Sequence, residues 1–376
     1  MKICYLNTLW HENKYGGGVW SYLHLLPQKL FSFGNDVTII TSGTNSDKVV
    51  NGIRVVSVGK VEVLTYKWQF FSPIFIYKRI RYIFRATSFI LSENFDLVEA
   101  ADGGFEHFLL VFFKKCPIIT RMHGRTSGTK RIFFGKIFDA IENIAIRKSD
   151  GISIPSESYY KTIPSFILRK KIVKIIPYGI DLDFRPANLN IKKRYKLVGK
   201  KIVLSVGEVS YRKGFDTLLK IADSFKDRNE IVFVVLGAVN NKYFYEKIPP
   251  NVFILGYKPR NEVYSFLHQS DVFLSTSRFE TFGIAVVEAL MCGKPVVAST
   301  ITGLKDLVKN GKNGYLFEVG DITEAKVNLL KILDNPERKK KMGKQSLVLA
   351  KSFTFEKVMQ QTLSFYKEVV RNYENN

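Results

Sequence analysis

At 376 residues, with 46% hydrophobic and 24% charged content, the chain has the size and balance of a folded protein with two α/β cores, which excludes disordered and fibrous classes. A net charge of +23 points to an anionic partner such as nucleic acid, acidic lipid or a phosphorylated substrate, with plain solubility as the competing explanation. Three widely spaced cysteines, Cys4, Cys116 and Cys292, offer neither a disulfide framework nor a metal-ligand spacing, and fit buried thiols in a reducing compartment.

Residues 2–7 form a short apolar strand. A loop with Gly16, Gly17 and Gly18 follows, then a helical pattern over 19–31. Strand, glycine loop and helix is how a doubly wound sheet begins, although these glycines lack the spacing of the dinucleotide fingerprint. The first apolar run stops at His11-Glu12-Asn13-Lys14, too soon for a secretory signal. No apolar run reaches the ~20 residues that span a bilayer. A cytoplasmic protein is expected. Further strands are expected at 36–41 and 53–57.

Over 74–91, Ile76, Ile80, Ile83, Thr87 and Ile90 make one helical stripe, and Lys78, Arg81, Arg85 and Ser88 make another. Tyr77, Tyr82, Phe84 and Phe89 add aromatic character, as do Trp68, Phe70 and Phe71 upstream and Phe133 and Phe134 downstream, where Lys130, Arg131 and Lys136 add charge. Such a helix suits peripheral contact with the inner, anionic face of a membrane. A surface helix packing its apolar stripe on its own domain is the alternative.

Strands at 95–98, 117–120 and 151–154 continue the alternation, with a helix over 137–147. His123 follows the strand end at Thr120, in the region where ligands gather in open α/β sheets; a lone loop histidine is otherwise structural. The stretch 173–186 runs from a strand into irregular chain with Pro177, Gly179 and Pro186, and reads as a linker. The pattern then restarts: strand 201–206, loop 207–214, helix 215–225. Two such starts mean two Rossmann-like domains, expected to face each other across a cleft.

Strands at 231–236 and 252–255 lead to the most informative stretch, Arg278 through Pro295. It lies between apolar runs at 272–274 and 296–298. Its centre, 283–291, has the composition of a helix that stops at Gly293-Lys294-Pro295. Glu280 precedes this helix and Glu288 lies within it, about 7 Å along at ~1.5 Å per residue. The amides of Phe282, Gly283 and Ile284 at the helix start form an anion site. Phosphate there, with hydroxyl-accepting carboxylates on either side, suits a nucleoside diphosphate sugar. A buried α/β connection carrying two solvated glutamates is the competing reading. The segment 303–317 and a helical pattern from 352 onward complete the chain.

In order, the chain carries Gly16-Gly17-Gly18, Arg121-Met122-His123-Gly124, the segment 141–150, Ile176-Pro177-Tyr178-Gly179-Ile180-Asp181, the segment 206–214 with Arg212-Lys213-Gly214, Glu280 with Glu288, and Asn310-Gly311-Lys312-Asn313-Gly314. Together these resemble the retaining GT-B glycosyltransferases of family 4, the glycosyl transferases group 1, over nearly the whole chain. The resemblance implies an acceptor-binding Rossmann-like domain at 1–180 and a nucleotide-sugar-binding one at 181–350. It also implies a helix at 351–376 that packs back on the first domain. By the same resemblance Glu280 contacts the donor sugar, Lys213 the diphosphate and Glu288 the ribose, while His123 lies near the reacting sugar; Glu280, Lys213 and His123 are the candidate catalytic residues. Arg212, Phe282, Gly283, Ile284, Gly17, Gly18, Gly207 and Tyr257 complete the candidate donor-binding set.

The expected activity is retaining transfer of a sugar from a nucleotide sugar to a glycan or lipid-linked acceptor, in cell-surface polysaccharide or glycolipid synthesis. No cofactor, required metal or nucleic-acid partner is expected; the one Asp-x-Asp, Asp181-Leu182-Asp183, lies in the linker. Alternatives are a GT-B epimerase or phosphorylase, or a basic nucleic-acid-binding protein. The chain departs from the family pattern at Glu208, where many members carry arginine, and at Thr302-Gly303-Leu304-Lys305-Asp306, where a shorter acid ends the motif.

Overall fold

The computed structural model describes residues 1–8, 18–61, 73–103, 106–124, 133–181, 189–239 and 248–375. Gly16, Gly17, Trp68, Phe70, Phe71, Lys130, Arg131 and Asp183 lie outside these, as do the side chains of Phe133, Phe134 and Lys136. The chain forms two compact units, one of Met1–Pro177 with Val358–Asn376 and one of Tyr178–Lys357.

The first unit is built on an eight-stranded sheet: β1 (Lys2–Leu6), β2 (Asp36–Thr41), β3 (Ser46–Val50), β4 (Ile53–Ser57), β5 (Leu97–Ala101), β6 (Ile118–Arg121), β7 (Gly151–Ile154) and β8 (Ile172–Ile175). Their spatial order is β3-β4-β2-β1-β5-β6-β7-β8. All pairs are parallel except β3 with β4, a hairpin whose two-residue turn has positive φ at both Asn51 (52°) and Gly52 (81°). β3 was not expected from the sequence: it is a polar edge strand, exposed along most of its length. The central strands are buried on both faces, as parallel strands covered by helices must be.

The second unit carries β9 (Lys201–Val206), β10 (Ile231–Leu236), β11 (Val252–Ile254), β12 (Val272–Ser275), β13 (Val296–Ser299) and β14 (Gly314–Phe317) in the order β11-β10-β9-β12-β13-β14, all parallel. Counted from β9 this is the doubly wound order 3-2-1-4-5-6, so the direction of winding reverses between β9 and β12. A core of Val203, Phe233, Val235, Leu274 and Val297 from the sheet packs against Phe215, Leu218, Leu329 and Ile332 from helices.

The last helix, Phe355–Glu374, gives its residues from Val358 onward to the first unit. There Phe365 and Val369 lie against β7, where a Cβ on Gly151 would come within 2.7 Å of Val369. Within the second unit Phe355 packs on Gly179 in the same way.

The helix Pro73–Ser92 corrects one expectation. Ile83, Thr87 and Ile90 are buried, but Ile76 and Ile80, assigned to the same stripe, are exposed. Arg79 takes the inner position, where its Nη2 reaches Glu106 Oε1 at 3.4 Å; both side chains are buried. A buried carboxylate needs a cation, and that requirement outweighs the isoleucine stripe in setting how the first turns face.

Candidate active site

The donor-site candidates converge where the winding of the second sheet reverses. The loop after β9 carries Glu208, Arg212 and Lys213; the loop after β12 carries Ser277, Arg278 and Glu280. Hydrogen bonds to backbone carbonyls hold the two loops together. Thr276 Oγ1 donates to the Lys213 carbonyl (3.0 Å), and the Arg278 amide donates to the Arg212 carbonyl (2.9 Å). Gly214 (φ 66°) makes this approach feasible: a Cβ there would stand 1.8 Å from the Thr276 carbonyl oxygen.

Arg278 clamps the same loop from outside. Its guanidinium donates to Asp216 Oδ1 (2.7 Å) and Oδ2 (2.6 Å) and to the Tyr211 carbonyl (2.7 Å), and lies 3.9 Å from the Tyr211 ring centroid. Burial pushes the Asp216 carboxyl up, but its hydrogen bonds and charge contact with Arg278 outweigh that and hold it below the usual range. The sequence showed Arg278 only as the start of a motif; Asp216 as its partner had no local signal.

The result is contact between Lys213 and Glu280. Lys213 Nζ donates to Glu280 Oε1, which also accepts from Ser277 Oγ at 3.0 Å. Arg212 is more open, and its Nη2 lies 3.8 Å from Glu208 Oε2. Gly207 ends β9 by donating its amide to the Leu236 carbonyl (2.8 Å), beside the aliphatic stem of Lys213.

The helix of the motif runs Ile284–Met291, with Gly283 as a left-handed N-cap at φ 102°. A Cβ on Gly283 would meet Leu304 at 2.6 Å, so glycine is required both for conformation and for space. Phe282 is buried against Tyr178 and Phe353, with ring centroids 5.4 and 5.5 Å away; its side chain belongs to the core and only its backbone can serve a ligand. The amides at this helix start have no partners within the helix.

Glu288, on this helix, is partly buried and meets Arg260 Nη2 at 3.1 Å, at the start of the helix Arg260–Gln269. Tyr257, in the loop before that helix, is half-exposed. Burial pushes the Glu288 carboxyl up, and the charge and hydrogen bond of Arg260 pull it back; Tyr264 and Cys292 also face it. Arg260→Gln should therefore move protonation of the Glu288 carboxylate to higher pH, and Arg260→Lys should reverse most of that change. The carboxyl carbon resonance of Glu288, followed by NMR from mildly acidic to neutral pH, checks this.

Gly18 is the first residue of the helix Gly18–Ser32, and Gly17 lies outside the described residues. His123 sits two residues past β6. Asp102 fixes the turn by accepting from the amides of His123 (2.9 Å) and Gly124 (3.2 Å). Tyr22 packs on the His123 ring at 5.4 Å. Burial, with the nearby charge of Arg121, pushes the imidazole down to about 3, so it is neutral at physiological pH and acts there as a hydrogen-bonding group rather than a cation.

Comparison with known proteins identifies the family. Residues 188–347 match the family model of the glycosyl transferases group 1, and residues 16–184 match that of glycosyltransferase family 4. The chain is 31% identical over 278 residues to the N-acetyl-alpha-D-glucosaminyl L-malate synthase of Bacillus anthracis, covering 70% of each protein. It is 29% identical over 201 residues to an uncharacterized glycosyltransferase of Methanocaldococcus jannaschii, spanning about half of each: 48% of this chain and 55% of that protein. Among solved structures, sucrose-phosphate synthase of Thermosynechococcus elongatus superimposes with a TM-score of 0.84 (17% identical, 99% of each chain). Anabaena HepE, in complex with UDP and glucose, gives 0.76 (17% identical, 98% of this chain and 100% of that one).

Proposed function

The chain belongs to the glycosyl transferases group 1 family, with the GT-B fold, and we propose that it moves a sugar from a nucleoside diphosphate sugar to a glycan or lipid-linked acceptor with retention at the anomeric carbon. The observation that carries this reading is the meeting of Lys213 and Glu280 where the winding of the second sheet reverses, with Glu288 further along the helix that follows. The departing nucleoside diphosphate gains negative charge, which Lys213, Arg212 and the amides of Phe282, Gly283 and Ile284 are suited to stabilise. Glu280 accepts sugar hydroxyls and Glu288 the ribose hydroxyls. HepE, with the same fold, was crystallised with UDP and glucose, which supports a donor of this class.

Retention follows if departure and attack share one face of the sugar. The leaving phosphate then serves as base, and no protein nucleophile is assigned. His123, neutral, donates or accepts a hydrogen bond to the sugar or phosphate. No metal is required in this reading, because cationic side chains meet the diphosphate.

A thermal-shift panel of nucleoside diphosphates and their sugars tests the donor class. A ligand at 100 times its Kd stabilises the protein by about 2.7 kcal/mol. A panel without any stabilising member would overturn the reading. An inverted product anomer would overturn retention alone.

The acceptor side carries a membrane reading. On the helix Pro73–Ser92, Ile74, Tyr77, Ile80 and Phe84 are exposed beside Lys78 and Arg81. Among the described residues no helix is long and apolar enough to cross a membrane. We infer peripheral contact with an anionic lipid surface, fitting an acceptor presented there in cell-surface polysaccharide or glycolipid synthesis. Vesicles containing anionic lipid should bind the protein at low salt and release it at high salt. Ile80→Asp with Phe84→Asp should weaken binding at every salt concentration; binding unchanged by the pair would remove this helix from the contact.

A further inference from the structure

The two groups assigned to opposite halves of the donor are bonded to each other. Lys213, assigned to the diphosphate, donates to Glu280, assigned to the sugar. Neither is a freely solvated surface charge: the side chains are 24% and 16% exposed. Their backbones are fixed together through Thr276 and Arg278, so the pair can part only by rotation of the side chains. Lysine, with four flexible carbons, is the member able to turn away.

We propose that this pair is a specificity gate that favours ligands carrying both an anionic phosphate and sugar hydroxyls over ligands carrying only one of them. The inference rests on the donor reading above and goes beyond it. A ligand with phosphate alone must draw Lys213 away and leave Glu280, partly buried, with Ser277 Oγ as its one remaining side-chain donor among those described. That uncompensated carboxylate opposes binding. A free sugar must compete for the Glu280 oxygens with a lysine that gains nothing by leaving. A nucleoside diphosphate sugar replaces both partners at once: its phosphates take the lysine and its hydroxyls take the carboxylate. The gate disfavours inorganic phosphate, diphosphate and free sugar without any steric barrier.

A substitution with opposite effects on two ligands tests this. Glu280→Gln keeps the shape but frees Lys213. Inorganic diphosphate, measured by calorimetry, should bind this variant about tenfold tighter than the wild type, the equivalent of about 1.4 kcal/mol. The nucleoside diphosphate sugar that best stabilises the wild type should bind it more weakly. Ser277→Ala, which removes the other donor to Glu280 and leaves the carboxylate more dependent on Lys213, should weaken inorganic diphosphate binding severalfold. Thermal melting confirms that each variant is folded. Unchanged or weaker diphosphate binding by folded Glu280→Gln would overturn the gate. Failure of the wild type to bind any nucleoside diphosphate sugar would instead overturn the donor reading, and the diphosphate comparison would still decide whether the pair opposes a lone phosphate ligand.

Discussion

Lys213→Ala should lower kcat/KM for sugar transfer by about two to three powers of ten, the cost typical of removing one pre-placed group that stabilises charge in a transition state. Lys213 is three-quarters buried, its backbone is tied to the loop after β12, and its Nζ already stands at Glu280. Such a group needs little reorganisation when a diphosphate departs. Arg212 is more exposed and only loosely paired with Glu208, so Arg212→Ala should cost less, up to about fivefold by the ordinary worth of a solvated charge contact. The effect of Lys213→Ala should appear in kcat as well as in KM, because charge on the leaving group is largest in the transition state. Initial rates against donor concentration separate the two. If Lys213→Ala loses less than threefold, or Arg212→Ala loses more than Lys213→Ala, the charge of the leaving group is met elsewhere.

The parts of the fold that were legible in the sequence are those whose environment is simple. Ile231–Leu236 and Lys201–Val206 have the same bounds in sequence and structure: the first is apolar and buried at every residue, and the second is apolar across its buried centre, Ile202–Leu204, as strands covered on both faces are. β3 was not legible: an edge strand has no such requirement, and Ser46–Val50 is mostly polar and exposed. The dipeptide Asn51-Gly52 was the available signal, since that pair favours the positive φ values of a two-residue hairpin turn.

The helix Pro73–Ser92 shows a different limit. Its periodicity was visible, but its inner face near residue 79 depends on Glu106, which no local pattern connects to Arg79. The candidate site divides in the same way. The loop and helix that carry Glu280 and Glu288 follow from glycine positions and apolar runs. The partners that fix those carboxylates, Lys213 and Arg260, come from segments far away in the chain and meet them only in the folded unit. The low proton affinity of His123 is likewise tertiary, because it depends on burial beside Arg121.

Glu99→Ala should be the most destabilising single substitution in the first unit, at about 3–5 kcal/mol, because it leaves a buried guanidinium without its carboxylate. Glu99 is the centre of a buried polar cluster. Its Oε1 accepts from Arg121 Nε (3.1 Å) and Tyr22 Oη (2.6 Å), and its Oε2 accepts from Tyr366 Oη (2.6 Å), which also bonds Tyr5 Oη at 2.7 Å. Arg121 is 1% exposed and Glu99 3%, so water cannot replace the lost partner without opening the core. Tyr366→Phe should cost less, about 1.5–3 kcal/mol, the worth of a hydrogen bond to a charged group, since Glu99 keeps its cation. The cluster joins β1, β5, β6, the helix Gly18–Ser32 and the final helix, so its loss should loosen them together. It should also release His123, which lies against Tyr22 and feels the charge of Arg121. Urea unfolding followed by hydrogen exchange of the β1, β5 and β6 amides separates this unit from the second one. A stability loss below about 1 kcal/mol for Glu99→Ala would mean that the cluster is solvated in solution and that Arg121 finds water when the carboxylate is gone.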